Sequence, residues 1–507
     1  MLGRRARRPG LALPSGSGRR AARRVPRLRR ARFARLVWLS AITPVLVGTI
    51  GVSLVHSAGR PHTRPAVRIT QDTSDRPDIV LILTDDQRFD TLWAMPNVQS
   101  LLVDHGVTFS NAFVVNSLCC PSRSSILTGN YSHTTGVYAN SGAHGGFGAF
   151  RDRSTIATWL NDDGYDTGLV GKYLNAYPGG YVPPGWDRWN AIVMQPPRGN
   201  YYYDYTLTSG ARTREYGHDP EDYSTGVLAN HAVRFIHSAK GPMFLYFAPW
   251  APHEMPIPPP GEQVAFDHLA PFRPPSFNEA NASDKPKYIR DLRQLDEQKI
   301  NDLDAFRSAQ YQTLLGVDRA VGRIVAALRA TGRLDHTMIA FLSDNGLAWG
   351  EHRWRNKQTP YEESIRVPLV ISYPPLTRTP KTVPQMALNI DLAPTFARLA
   401  GVTPPRHDGR SLLPLLEGRP QGWRSSFLVE HAQVSSHLKV PSYCAIRTTH
   451  SVYVVYQTGE REYYDLDTDP DELTNLAGDP SSTGRIAALA PRLHRLCDPP
   501  PLGMPRP

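Results

Sequence analysis

The run Asp78-Ile-Val-Leu-Ile-Leu-Thr84, followed at once by Asp85-Asp86, decides the fold class of this chain. Five consecutive apolar residues with no polar alternation describe a strand covered on both faces, as in a parallel sheet under helices. Three further runs repeat the pattern: Thr167-Gly-Leu-Val-Gly171 stops at Lys172, Met243-Phe-Leu-Tyr-Phe-Ala248 stops just before His253, and Met338-Ile-Ala-Phe-Leu-Ser343 stops at Asp344. In open α/β sheets the ligand crevice lies outside the carboxyl ends of the strands, so these polar residues are expected to converge although they are remote in sequence. One charge after one strand is an ordinary loop charge; four such endings argue for a shared site.

Between the strands the period changes. Leu314, Leu315, Val317, Val321, Ile324, Val325 and Leu328 form one apolar stripe, which predicts a crossover helix over Tyr311 to Leu328. The segment Pro256 to Lys287 is too rich in proline for regular structure and too long for an ordinary connection, so it is expected to wall the cleft beyond His253. From about Gly422, SVYVVYQ and EREYYDL predict a small antiparallel sheet, and Arg485 to Leu496 a closing helix kinked or interrupted at Pro491. The expected fold is therefore α/β: a large mixed, mostly parallel sheet flanked by helices over residues 77–421, with a smaller antiparallel sheet plus helix over 422–507.

The 507 residues carry a net charge of +11, but thirteen arginines and no Asp, Glu or Lys stand in the first 35, so the remainder is slightly acidic. A basic tail on a near-neutral body is a targeting or anchoring arrangement and argues against a nucleic-acid partner, which needs a basic folded face. Residues 36–56 follow with twenty uncharged positions, Leu36 to Val55, enough helix to cross a bilayer. Arginines before it place the rest of the chain outside the cytoplasm. The length of this segment and the poor A-x-A match around Ala58 favour an uncleaved anchor over a cleaved signal peptide, with 57–76 as a polar, proline-bearing tether. The product is then either secreted or anchored at its N-terminus.

Four cysteines in a long exported chain do not make a disulfide scaffold, although Cys444 and Cys497 lie close enough in sequence to cross-link. Cys119 and Cys120 are neighbours, and a bridge between them is strained. They open the segment Cys119-Cys-Pro-Ser-Arg-Ser-Ser-Ile-Leu-Thr-Gly129. This segment, with LILTDDQ and FLSDNG, resembles the formylglycine-dependent sulfatases of the alkaline-phosphatase superfamily. It fits the family pattern C-x-P-S-R-x-x-x-L-T-G at all seven fixed positions.

The resemblance implies that Cys119, not Cys120, is oxidised by a separate formylglycine-generating enzyme to 3-oxoalanine, whose hydrate is the nucleophile. One hydroxyl of the hydrate attacks sulfur and expels the alcohol; the other reforms the carbonyl and releases sulfate, so water need not attack the ester. It further implies a divalent ion, Ca2+ with Mg2+ as competitor, held by the oxygen-only set Asp85, Asp86, Asp344 and Asn345 and completed by converted Cys119. Arg123 falls one turn after Cys119 if a helix starts at Pro121, where it can offset the nucleophile's charge. Lys172 and Lys357 match the two sulfate-binding lysines, and His253 matches a histidine that contacts sulfate and helps protonate the leaving oxygen. Where many members read G-K-W-H, this chain reads Gly171-Lys-Tyr-Leu-Asn175, so the acid/base histidine two places beyond the lysine is absent; His352 of GEH is expected to fill part of that gap, and His352 and Asn175 are second-rank candidates for substrate binding. Tyr361, Glu362 and Arg366 are expected to hold the fold.

GKYLN, CCPSR and SFNEANASDKP look like the branch that removes 6-sulfate from glucosamine units, which points to a sulfated glycan or small-molecule substrate. Two other readings stand beside it. Relatives with the same scaffold hydrolyse phosphodiesters or phosphonate monoesters, and a chain that keeps Cys119 as a thiol would be a tethered glycan-binding protein.

Overall fold

In a computed structural model the described residues are 76–195, 199–435 and 438–505. The arginine-rich segment, the apolar segment and nearly all of the tether lie outside them. Eight strands form one sheet: Asp78–Thr84 (β1), Val107–Phe109 (β2), Asp166–Gly171 (β3), Arg188–Ala191 (β4), Met243–Ala248 (β5), Thr337–Ser343 (β6), Leu369–Ser372 (β7) and Lys381–Val383 (β8). Their order across the sheet is β8-β2-β7-β6-β1-β5-β3-β4. Only β7 runs against its neighbours, so the sheet is mixed and mostly parallel, as expected.

β1 lies between β5 and β6, and every residue of the three strands is buried. Helices cover both faces. Gly168 of β3, level with Leu245, meets the ring of Phe235 on the helix Ser224–Ser238. The neighbouring Phe244 points the other way and contacts Phe396 of the helix Leu392–Leu399. The apolar stripe at 311–328 belongs to a helix running from Glu297 to Ala330. It begins ahead of the stripe because Asp296 accepts from the backbone N–H of Lys299 and caps it, while the first turns face solvent.

A second sheet pairs Ser426–His431 (β9), Tyr443–Thr448 (β10), Ser451–Tyr456 (β11) and Arg461–Asp465 (β12) antiparallel in sequence order. It shares a buried cluster with the larger region through Phe113, Met386, Phe427 and Val429. The closing helix Thr483–Leu496 runs unbroken through Pro491. Pro491 and Ala487, whose carbonyl loses its donor, are both exposed, so water can satisfy the freed group. A disulfide joins Cys444 of β10 to Cys497 at the end of this helix. Among the described residues no helix is long and apolar enough to cross a membrane.

Candidate active site

The register of the central strands sets the site. β1 and β6 are parallel with Thr84 level with Ser343, so Asp85-Asp86 and Asp344-Asn345 emerge side by side. Asp344 accepts from the backbone N–H of Asp86 at 3.2 Å, and Asn345 donates to the Asp86 carboxylate at 2.6 Å. Asp86 holds φ +63°, a left-handed turn that ends the strand. One strand further on, β5 and β3 are level at Ala248 and Gly171, and the N–H of Lys172 donates to Ala248 O at 2.7 Å. Gly171 sits at φ +122°, and a Cβ there would stand 1.9 Å from Ala248 O, so glycine alone lets the chain turn and send Lys172 inward.

The motif segment is the helix Cys119–Thr128. It starts at Cys119 itself, two residues before the proline, because the N–H of Cys120 is capped by the Asn140 side chain at 2.9 Å. All ten residues are buried, including Arg123. Gly129 closes the helix at φ +72°, its N–H donating to Ser125 O.

Around the cysteine the polar atoms close up. Cys119 Sγ lies 3.5 Å from Asp85 Oδ1 and 2.9 Å from Lys357 Nζ. Arg123 donates through Nε to Asp344 at 2.7 Å and through Nη1 to Lys172 O at 2.9 Å, and pairs with Asp85 at 3.3 Å. Lys172 donates to Asp85 and lies over the Trp250 ring at 4.5 Å; Lys357 donates to Asp86. His253 Nε2 stands 3.6 Å from Asp86 Oδ2. The sequence-predicted Asp85, Asp86, Cys119, Arg123, Lys172, His253, Asp344, Asn345 and Lys357 are therefore brought together.

His352 and Asn175 are not. Asn175 is occupied with Cys120, whose Sγ accepts from its N–H at 3.0 Å. His352 is buried against Tyr361 and bonded to Glu279 at 2.8 Å. Neither is hydrogen-bonded to Cys119 or to Asp85, Asp86 or Asp344. Trp250, Asn140 and Tyr202, which holds His253 O at 3.0 Å, were not singled out from sequence. Only Trp250 left a signal, lying between β5 and His253.

Burial sharpens the electrostatics. It would raise the Asp85 carboxyl, but Lys172, His253 and Arg123 hold it below the usual carboxylate range. Asp86 is likewise held down against its burial by Lys357 and His253. Burial, against the pull of Lys172 and Lys357, pushes the Cys119 thiol far up, so an unconverted cysteine is a poor nucleophile here. Burial also lowers His253, outweighing the opposing pull of Asp86 and Asp85.

The donor set fits a hard divalent cation. Ligand atoms of Asp85, Asp86, Cys119 and His253 lie within 4.8 Å of one another, and Asn345 Oδ1 is buried without a partner. Three aspartates balance three cations, Arg123, Lys172 and Lys357; a divalent ion would leave the pocket doubly positive, the charge needed to gather an anionic ester and an ionised nucleophile. A cavity of about 290 Å3 opens beside Asp86, His253 and Lys357, at the lower end of small-ligand pockets. Its wall comes from Glu254, Phe306 of the long helix, and Arg355 and Asn356. The proline-rich segment, expected to form that wall, lines none of this cavity: Ser276 O and Asn278 bind the backbone of His352 and Gly350 and brace the loop from behind.

The family model described as Sulfatase matches residues 77–402, and one described as N-sulphoglucosamine sulphohydrolase, C-terminal, matches 350–498. The Drosophila melanogaster extracellular sulfatase SULF-1 homolog is 35% identical over 74% of this chain. Human N-acetylglucosamine-6-sulfatase is 33% identical over 81% of this chain and 83% of its own length. This chain spans 35% of the Drosophila protein and 54% of the related Caenorhabditis elegans protein. A solved structure in complex with its substrate D-glucosamine-2-N,6-O-disulfate superposes with a TM-score of 0.74 at 25% identity, covering 83% of this chain and 98% of the other. The phosphonate monoester hydrolase of Agrobacterium radiobacter shares the fold, with a TM-score of 0.68 at 24% identity over 84% of this chain and 96% of its own.

Proposed function

The chain belongs to the sulfatase family, and on that premise we propose that it hydrolyses sulfate monoesters, with 6-O-sulfated glucosamine units of a glycan as its substrate class. The observation that carries the reading is Cys119 Sγ, wedged between Lys357 Nζ and Asp85 Oδ1 at the mouth of a buried carboxylate cluster. The match to human N-acetylglucosamine-6-sulfatase along most of both chains supports the substrate class, as does the neighbour bound to a 6-O-sulfated glucosamine.

Conversion of Cys119 to 3-oxoalanine supplies a hydrated aldehyde as nucleophile, and a bound Ca2+ or Mg2+ supplies a Lewis acid that lowers its pKa. Asp85, Asp86, Asp344 and Asn345 would hold that ion. The chain's own groups do the rest. Arg123 fixes Asp344 and faces the nucleophile's charge from inside the helix; Lys172 and Lys357 draw the ester's anionic oxygens toward Cys119. His253, packed against the Trp250 ring with centroids 4.1 Å apart, is placed to pass a proton at the leaving oxygen.

Export fits the chemistry: the Cys444–Cys497 disulfide belongs to an oxidising compartment, and relatives are named extracellular. Residues 36–56 serve as signal or anchor in this reading, and a formylglycine-generating enzyme is the processing partner.

The test is twofold. Peptide mass spectrometry across Cys119 should show the aldehyde at lower mass than the thiol; a wholly unconverted thiol in active hosts would favour a binding protein. Converted chain with Ca2+ is then offered 6-O-sulfated glucosamine, aryl sulfate, choline sulfate and a phosphonate monoester. Sulfate release is expected fastest from the glucosamine ester, and faster turnover of the phosphonate would overturn the proposal.

A further inference from the structure

We propose that His352, Glu363 and Glu472 form a second divalent-cation site, of the zinc or manganese class, which ties the C-terminal segment to the loop that carries Lys357. Ligand atoms of the three lie within 4.8 Å of one another, and all three residues are buried. This group is separate from the Asp85 cluster and shares no residue with it.

Two orphaned atoms point to an ion. His352 Nε2 and Glu363 Oε1 are both buried and neither has a hydrogen-bond partner. They face each other at 3.8 Å, beyond hydrogen-bond reach. Two bonds of about 2.0–2.2 Å each, one to imidazole nitrogen and one to carboxylate oxygen, span such a gap. Buried polar atoms left without partners are costly, so an occupant that satisfies both is favoured.

The surroundings are those of a ligand shell. His352 Nδ1 lies 2.8 Å from Glu279 Oε2; a carboxylate there accepts the Nδ1 hydrogen, which turns Nε2, 3.8 Å from Glu363 Oε1, into the ring atom offered to an ion. A carboxylate behind a histidine is the usual support of a metal-binding imidazole. Glu472 is oriented too, its Oε2 accepting from the N–H of Glu362 at 3.0 Å. Charge completes the case. Glu279, Glu363 and Glu472 are buried together near a single lysine, Lys285, at 3.7 Å from Glu279. Arg88 and Arg447 are committed elsewhere, to Glu351 and Asp90 and to Glu362, and Arg353 donates to the backbone carbonyls of Glu279, Ala280 and Leu292. A divalent ion would offset the carboxylate charge that gathers there. One nitrogen with carboxylate oxygens suits Zn2+ or Mn2+ better than Ca2+.

The consequence is mechanical. His352 and Glu363 bracket Lys357 in sequence, and Glu472 comes from the turn after β12, so an ion there would close the loop and fasten its base. The full chain, stripped by chelator and refilled with excess Ca2+ to saturate the Asp85 cluster, is dialysed against Zn2+ or Mn2+ and its metal content measured. One equivalent is expected in the wild type and in Asp86→Asn, none in His352→Gln or Glu363→Gln, and about 10- to 100-fold weaker retention in Glu279→Gln. Should a variant fail to fold, an anomalous-scattering peak at the zinc edge in wild-type crystals, between His352 Nε2 and Glu363 Oε1, decides alone. No retained ion in the wild type, full retention in both ligand variants, or a peak only at the Asp85 cluster would overturn the proposal.

Discussion

Lys357 Nζ lies 2.9 Å from Cys119 Sγ and also donates to Asp86, so one side chain links the nucleophile position to the carboxylate cluster. Burial would lower this lysine, but the Asp86 carboxylate holds it well above its ordinary value, so it stays charged through the working pH range. Removing a fixed donor aimed at developing charge costs about 10²–10³ in rate. Lys357→Ala should therefore lower kcat/KM on a 6-O-sulfated glucosamine by that factor. Lys357→Arg should not rescue it, because a planar guanidinium does not fit a point-charge position between sulfur and carboxylate. Steady-state kinetics on converted protein checks this, and a variant within twofold of wild type sinks it.

Gly171 makes a second, purely steric prediction. Its Cβ would meet Ala248 O at 1.9 Å in a backbone region closed to other residues, and Lys172 follows immediately. Gly171→Ala should cost roughly 3 kcal/mol or more in urea unfolding and should depress activity further by displacing Lys172. An alanine variant with unchanged midpoint and rate would show that the turn at Gly171 is not required.

Much of this was legible in the sequence, for a physical reason. A strand buried on both faces can hold little but apolar residues, so Asp78–Thr84, Met243–Ala248 and Thr337–Ser343 announce themselves and the polar residues after them mark the crevice. The order of those strands was not legible, since it depends on pairings between segments more than a hundred residues apart. Helix Cys119–Thr128 shows no apolar stripe because all its faces are buried, with Asn389 satisfying Ser122 at 2.9 Å and Asp344 satisfying Arg123. Periodicity needs a solvent face to show itself. The surroundings of His352 were not legible either: Glu279, Glu363 and Glu472, whose carboxylates gather around it, come from three different segments, and spacing to Lys357 said nothing of them.

The Cys444–Cys497 bridge closes a loop of separation 53 and fastens the closing helix to β10. In the chain-entropy account a loop of that size is worth about 4 kcal/mol. Cys497→Ser should lower the melting temperature by several degrees while leaving the rate at 25 °C within about twofold, because the bridge touches no residue of the Asp85 cluster. Calorimetry with parallel assays checks both halves. Equal loss of rate and stability would mean that the C-terminal sheet shapes the cleft.

His431, at the end of β9, gives the pH prediction. Burial lowers its pKa from 6.5 to about 4, with the ring packed 5.7 Å from Tyr443. The folded state therefore refuses a proton that the unfolded chain accepts, and between these two values the unfolded state binds more protons. Stability from this group is present in full above the unfolded value, falls as pH drops below about 6.5, and is lost as pH passes through the folded value near 4. The difference amounts to roughly 3 kcal/mol. His431→Phe keeps an aromatic ring against Tyr443 without the titration, so its melting temperature should decline less steeply than wild type between pH 7 and pH 4.5, with the curves converging at neutral pH apart from a constant packing offset. Parallel slopes for the two proteins over that interval would show that acid sensitivity arises from other groups and that His431 is not held neutral by burial.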